Sequence, residues 1–194
     1  MSLRSALLAL ISAGPLTGYD AVKHFRSSVG HVWHAPDSQI YPELRKMQAE
    51  GLLEATPVPW GSGDALKTQY SLTDAGREAL AQWQHTPLTY AKERDPAHLL
   101  AAYFEWGTTE SARERLRDHI AFYSEALESA RKQAREITDR SSPTLQRRLA
   151  SQDPAQGDRI AAFKLFAYEG KIARAQAEIE WARKGLELLD SLDG

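Results

Sequence analysis

The residues best suited to recognition chemistry sit together in the stretch SQIYPELRK, from Ser38 to Lys46. Ser38, Gln39 and Tyr41 offer neutral donors and acceptors, and Arg45 and Lys46 add positive charge. On the first turns of a helix such side chains can reach phosphate oxygens and base edges, and the helix N-terminus itself favours an anion. Pro42 lies among them. Read within the first turn, it lacks an N–H that would have no intrahelical acceptor, and it fixes how the chain enters the helix. Lys67 and Thr68, further along in KTQYSLT, can add backbone contacts to phosphates. Catalytic patterns are missing: there is no G-x-S-x-G, H-E-x-x-H, Walker loop or G-x-G-x-x-G. With no cysteine there is no thiolate zinc site or cysteine nucleophile. His31 and His34 in HVWH have no carboxylate or third histidine nearby in sequence, so they read as a junction and no metal site is expected. Acid pairs such as Glu178 and Glu180 read as solvated helix surface. The chain is therefore read as a non-enzyme without cofactor.

What must position these residues follows from the whole chain. Its 194 residues are 42% hydrophobic and 26% charged, which is ordinary for a globular protein, and no apolar run approaches the roughly 20 residues of a membrane span. The opening MSLRSALLALIS reads as an integral first helix rather than a leader, and a cytoplasmic location is expected. The formal charge is −2, and residues 1–86 carry seven Lys/Arg against eight Asp/Glu, so any DNA contact must come from locally placed cations.

The first half changes texture quickly. Leu3, Leu7, Leu8, Leu10 and Ile11 form one helical face that ends at Gly14 and Pro15. Thr17 is the expected N-cap of a second helix carrying Tyr19, Val22, Phe25 and Val29. Asp37 or Ser38 is expected to cap a third, with Ile40, Leu44 and Met47 inward and Gly51 as its stop. LLEATPVPW and KTQYSLT predict a hairpin, and a fourth helix starts from a capping Thr73. Three helices, a hairpin and a helix make a winged helix-turn-helix whose third helix reads the major groove. A protein-interaction module lacking DNA binding is the alternative for the same fold.

The second half, beyond a boundary near Pro87, has long charged helices. Asp95 and Pro96 open a short one, and a long one runs from about Thr109. The stretch 140–158 reads as a flexible connector with room for a short helical piece, and a final helix runs from about Arg159 to Leu189. Leu165, Ile172, Ile179 and Leu186 repeat every seven residues, while Phe163, Phe166, Trp181 and Leu188 cover another flank. One intramolecular partner would hardly cover both, so a homodimer is expected, with Leu165, Ile172, Ile179, Trp181 and Leu186 at the contact. A monomer folding its own short helix over the second flank is the alternative. The class is thus mainly α: residues 1–86 a winged helix-turn-helix and 87–194 a long-helix dimerisation domain. Trp33, Tyr103, Phe104 and Trp106 could line an aromatic pocket for a small aromatic effector, or simply be core.

GPLTGYD, SQIYPELRKMQAEGLLE and QYSLTDAGREAL together resemble, in order, the PadR family of transcriptional regulators over about residues 3–84. The second half, ending EIEWARKGLELL, resembles the helical domain of that family's virulence-activator-like branch. The resemblance implies a dimeric bacterial regulator on a palindromic operator in double-stranded DNA, usually a repressor relieved by a small molecule. The wing departs from the family's basic pattern: GSGDAL puts Asp64 and Leu66 where cations are frequent, so wing contacts rest on Lys67 and Thr68.

Overall fold

The computed structural model describes residues 3–29, 35–61, 64–90, 92, 94–150 and 152–193. The chain forms two compact units, residues 1–89 with 143–157, and residues 90–142 with 158–194. None of the described helices is long and apolar enough to cross a membrane.

The first unit contains α1 (Leu3–Ile11), β1 (Leu16–Thr17), α2 (Gly18–Ser27), α3 (Asp37–Ala49), β2 (Leu53–Pro59), β3 (Leu66–Leu72) and α4 (Asp74–His85). The three strands order as β1-β3-β2, both pairs antiparallel. The two-residue β1 is absent from the sequence reading because its only signal is pairing with Tyr70 and Gln69. Pro57 and Pro59 are tolerated in β2 because it is an edge strand, where a missing N–H need not break a ladder. Leu7, Leu8, Ile11, Phe25, Ile40, Leu44 and Met47 are fully buried in the core between the helices.

Local chemistry sets the boundaries. Thr17 caps α2 by accepting from the Asp20 N–H at 3.2 Å, and Thr73 caps α4 by accepting from the Gly76 N–H at 3.0 Å. Gly51, at φ +75°, ends α3 in a Schellman arrangement: its N–H donates to Gln48 and that of Leu52 to Met47.

The expected start of α3 needs correction. Asp37 is its first residue and the cap is Pro36, because the Asp37 carboxylate is held by Arg26 from α2 instead of capping its own helix. Pro42 therefore stands inside the helix rather than in its first turn. Its missing N–H removes the hydrogen bond that the Ser38 carbonyl would accept, a defect tolerated on an exposed face.

The connector holds the short helical piece expected of it, and packs it with the first unit. Residues 143–157 pack with the first unit and carry α7 (Pro143–Leu149), with Leu145 buried. The Arg147 guanidinium donates to the carbonyls of Leu10 at 3.3 Å, Pro15 at 3.0 Å and Gly14, capping the C-terminal end of α1. His24 Nδ1 lies 3.0 Å from Thr144 Oγ1. Burial, and then the charge of Arg147, hold the His24 imidazole below its ordinary value of 6.5. Neutral imidazole is thus favoured in the folded unit, while the unfolded chain takes up its proton as pH falls through about 6.5. The unit is expected to lose stability below that pH until the lowered folded value is passed. His24→Gln should shrink the gap between melting temperatures measured at pH 7.5 and 5.5; an unchanged gap would refute this.

The second unit contains α5 (Pro96–Ala101), a 3-10 turn (Phe104–Trp106), α6 (Thr109–Thr138) and most of α8 (Pro154–Asp193). Asp95 caps α5 by accepting from the Ala97 and His98 N–H groups, both at 3.0 Å. α6 and α8 pack through Leu127, Ala175 and Ile179, flanked by Ile120, Tyr123 and Ile172.

Candidate nucleic-acid interface

The α3 sequence sorts its polar residues into two stripes, since positions three or four apart share a helix face. With Ile40, Leu44 and Met47 inward, Ser38, Tyr41, Pro42 and Arg45 fall on one exposed stripe, and Gln39, Glu43, Lys46 and Glu50 on another. The second stripe faces α1, where Arg4 donates to Glu43 at 2.8 Å and to Glu50 at 3.0 Å. Lys46 borders this ion-pair cluster in a shallow hollow with Leu3, Arg4 and Glu43.

The first stripe opens onto a groove of about 760 Å³. Its floor is the start of α2, Thr17 to Asp20, with Tyr70 of β3. Its walls are Tyr41 and Arg45 from α3, and Trp60, Lys67 and Thr68 from the hairpin. Gly18 lets the two helices meet: a Cβ there would lie 2.7 Å from the Tyr41 ring. Asp20 is occupied locally, accepting from the Thr17 hydroxyl at 2.5 Å. Arg45 and Lys67 are exposed or half-exposed, so the lining carries two cations against one carboxylate in a chain of net charge −2. Helix-start N–H groups, a tyrosine hydroxyl and these two cations can hold phosphates, and the Arg45 fork suits a base edge.

Of the residues expected to meet DNA, Tyr41, Arg45, Lys67 and Thr68 converge on this groove. Ser38 and Pro42 share the stripe without lining it, and Gln39 and Lys46 lie off it. Tyr19 and Trp60 were not foreseen. Tyr19 was read with the apolar face of α2, but Ala21 and Phe25 turn inward there and Tyr19 stays 68% exposed. Trp60 was hidden by the irregular composition of its hairpin.

The aromatic effector residues are less gathered. Trp33 lies outside the described residues, as do His31 and His34; Tyr103 and Trp106 are exposed and Phe104 is half-buried. Two other histidines stand beside carboxylates that come from another turn or helix. His119 Nε2 lies 3.2 Å from Glu178 and His98 Nδ1 lies 2.7 Å from Asp95, with His98 stacked on Trp181 at 3.9 Å between centroids. Of the residues expected at a dimer contact, Ile179 is buried against α6, Ile172 packs beside it, Leu165 and Leu186 are half-buried, and Trp181 is half-covered. The flank that stays open carries Phe163, Phe166 and Leu188.

Comparison with known proteins places these features. Residues 7–82 match the profile of the transcriptional regulator PadR-like family. The negative transcriptional regulator PadR of Bacillus subtilis is 36% identical over 104 residues, 53% of this chain and 56% of that protein. The chain thus aligns with about half the length of the curated relatives it matches. Bacillus subtilis PadR crystallised with operator DNA has a similar fold over 96% of this chain and 98% of that one, at TM-score 0.74 and 23% identity. Its complex with p-coumaric acid matches over 97% and 95%, at TM-score 0.70 and 24% identity. The Vibrio cholerae virulence activator AphA matches over 98% and 99%, at TM-score 0.62 and 27% identity.

Proposed function

We propose a function from one premise: through residues 7–82 this chain belongs to the transcriptional regulator PadR-like family. It is a DNA-binding transcriptional regulator, and binding rather than catalysis is its chemistry. α3 enters the major groove, Tyr41 and Arg45 facing the bases, while the start of α2 and Lys67 and Thr68 of the hairpin hold the phosphates on either side. The observation that carries this reading is the groove itself, where two cations from separate elements converge in a chain with no net positive charge.

The regulator works as a homodimer on a palindromic operator in the cytoplasm, pairing through the second unit. The apolar flank of α8 with Phe163, Phe166 and Leu188 supports that pairing better than the heptad face already packed against α6. Repression relieved by a small aromatic effector is the mode we favour, since one relative is a negative regulator and was crystallised with p-coumaric acid. The protein-interaction reading is not favoured, since the groove sets its aromatic lining beside two cations, which suits a polyanion.

The test is a gel-shift titration with a labelled fragment from immediately upstream of the protein's own gene, across a range of salt. Binding should weaken as salt rises, and Lys67→Ala should make the log–log slope shallower by about 0.9 for each phosphate that Lys67 neutralises. Absent or salt-insensitive binding would refute the function.

A further inference from the structure

The hairpin poses a problem for the function just proposed, on which this inference rests. Lys67 is the only cation between residues 53 and 72, against Glu54 and Asp64. An electrostatic grip on DNA from a wing with that balance is weak. Yet the hairpin presents two large apolar side chains outward near its tip: Trp60 is 64% and Leu66 63% exposed. They sit where the ribbon closes, with Pro59 opposite Leu66 and the Trp60 N–H donating to the Ala65 carbonyl at 2.8 Å. Large apolar groups at the tip of an edge hairpin invite association and aggregation unless something covers them.

We propose that this wing holds DNA by an apolar wedge, Trp60 and Leu66 entering the minor groove next to the major groove that α3 occupies. Three observations select that occupant. Trp60 lines the same groove as Tyr41, Arg45 and Lys67, so the tip is continuous with the candidate interface. The cations Arg45 and Lys67 line the groove with Trp60, and Lys67 follows Leu66 in β3, which suits a polyanion with apolar sugar walls better than a second copy of a chain with net charge −2. Pro57 and Pro59 restrict the strand leading to the tip, so little freedom is lost when it is inserted. Minor-groove proteins use apolar side chains in this way, wedging between base steps and bending the duplex.

The test uses the full-length protein and the same upstream fragment. Trp60→Ala combined with Leu66→Ala is expected to weaken binding about tenfold to a hundredfold at every salt concentration, the effect of removing two large side chains that DNA would cover. The salt slope should stay as in the parent, because neither side chain neutralises a phosphate. Trp60→Phe should recover most of the affinity, and the double variant should keep the parental melting temperature, since both side chains are exposed in the free protein. Unchanged affinity would overturn the wedge, as would weaker binding accompanied by a shallower slope. A change of oligomeric state with affinity intact would overturn it too, by assigning the tip to a second copy. If the parent protein binds no DNA, the function itself fails and takes the wedge with it; if the parent binds and the variants bind equally well, only the wedge fails.

Discussion

Gly76→Ala is expected to destabilise the first unit by about 3 kcal/mol or more, lowering its melting temperature by something on the order of 10–20 °C. A Cβ at position 76 would lie 2.2 Å from the Leu52 carbonyl oxygen and 2.9 Å from a Leu72 methyl. The methyl can turn away, but the carbonyl cannot. It accepts the Thr73 N–H at 3.2 Å, while the Leu52 N–H donates to Met47 at 2.9 Å in the α3 terminator. The Gly51 carbonyl next to it accepts the Thr73 hydroxyl at 2.7 Å. Relieving the clash must therefore break either the end of α3 or the start of α4, and both hold the hairpin. Domains are typically stable by only about 5–15 kcal/mol, so such a loss threatens the fold as well as the interface. Gly170→Ala is the control: nothing lies within 4 Å of the added methyl in the middle of α8, and alanine there should stabilise by up to about 1 kcal/mol. Thermal unfolding of the two variants beside the parent protein checks both. Equal melting temperatures for Gly76→Ala and the parent would refute the close approach.

The same glycine shows what could be read without a structure. Helix caps are local: Thr17, Thr73 and Asp95 satisfy N–H groups two or three residues ahead of them, so residue type and spacing were enough to place them. Gly51 was equally legible as a terminator. Features that depend on distant partners were not. Asp37 reads as a cap until Arg26 of another helix takes its carboxylate, and that moved Pro42 from the first turn to the interior. The docking of α7 depends on Arg147 finding carbonyls more than 130 residues away, which no local pattern records. The His119 and Glu178 pair, joined between α6 and α8, was hidden for the same reason. The likeness to the PadR-like family over residues 7–82 was legible because motifs carried it; the facing of individual cations was not.

That facing makes the second large prediction, which separates two neighbouring residues the sequence treats alike. Arg45→Ala should cut operator affinity strongly, whereas Lys46→Ala should change it by no more than a few-fold. One residue step turns about 100° around a helix, which puts Arg45 into the groove with Tyr41 and Lys67 and Lys46 beside Arg4 and Glu43. An arginine fork on a base edge contributes about 1–3 kcal/mol of discrimination, and the proposed dimer on a palindrome would present two copies. Losing both should cost about 2–6 kcal/mol, or roughly 30-fold to 10⁴-fold in affinity, if the half-sites act independently. Lys46 feels the nearby carboxylates Glu43 and Glu50, which are already neutralised in part by Arg4, so its charge adds little to the field over the groove. Gel-shift titrations of the two variants at one salt concentration decide the point. Equal losses of affinity would mean that the two stripes of α3 do not divide the work as the fold arranges them, and a greater loss for Lys46→Ala would place the reading face on the side toward α1.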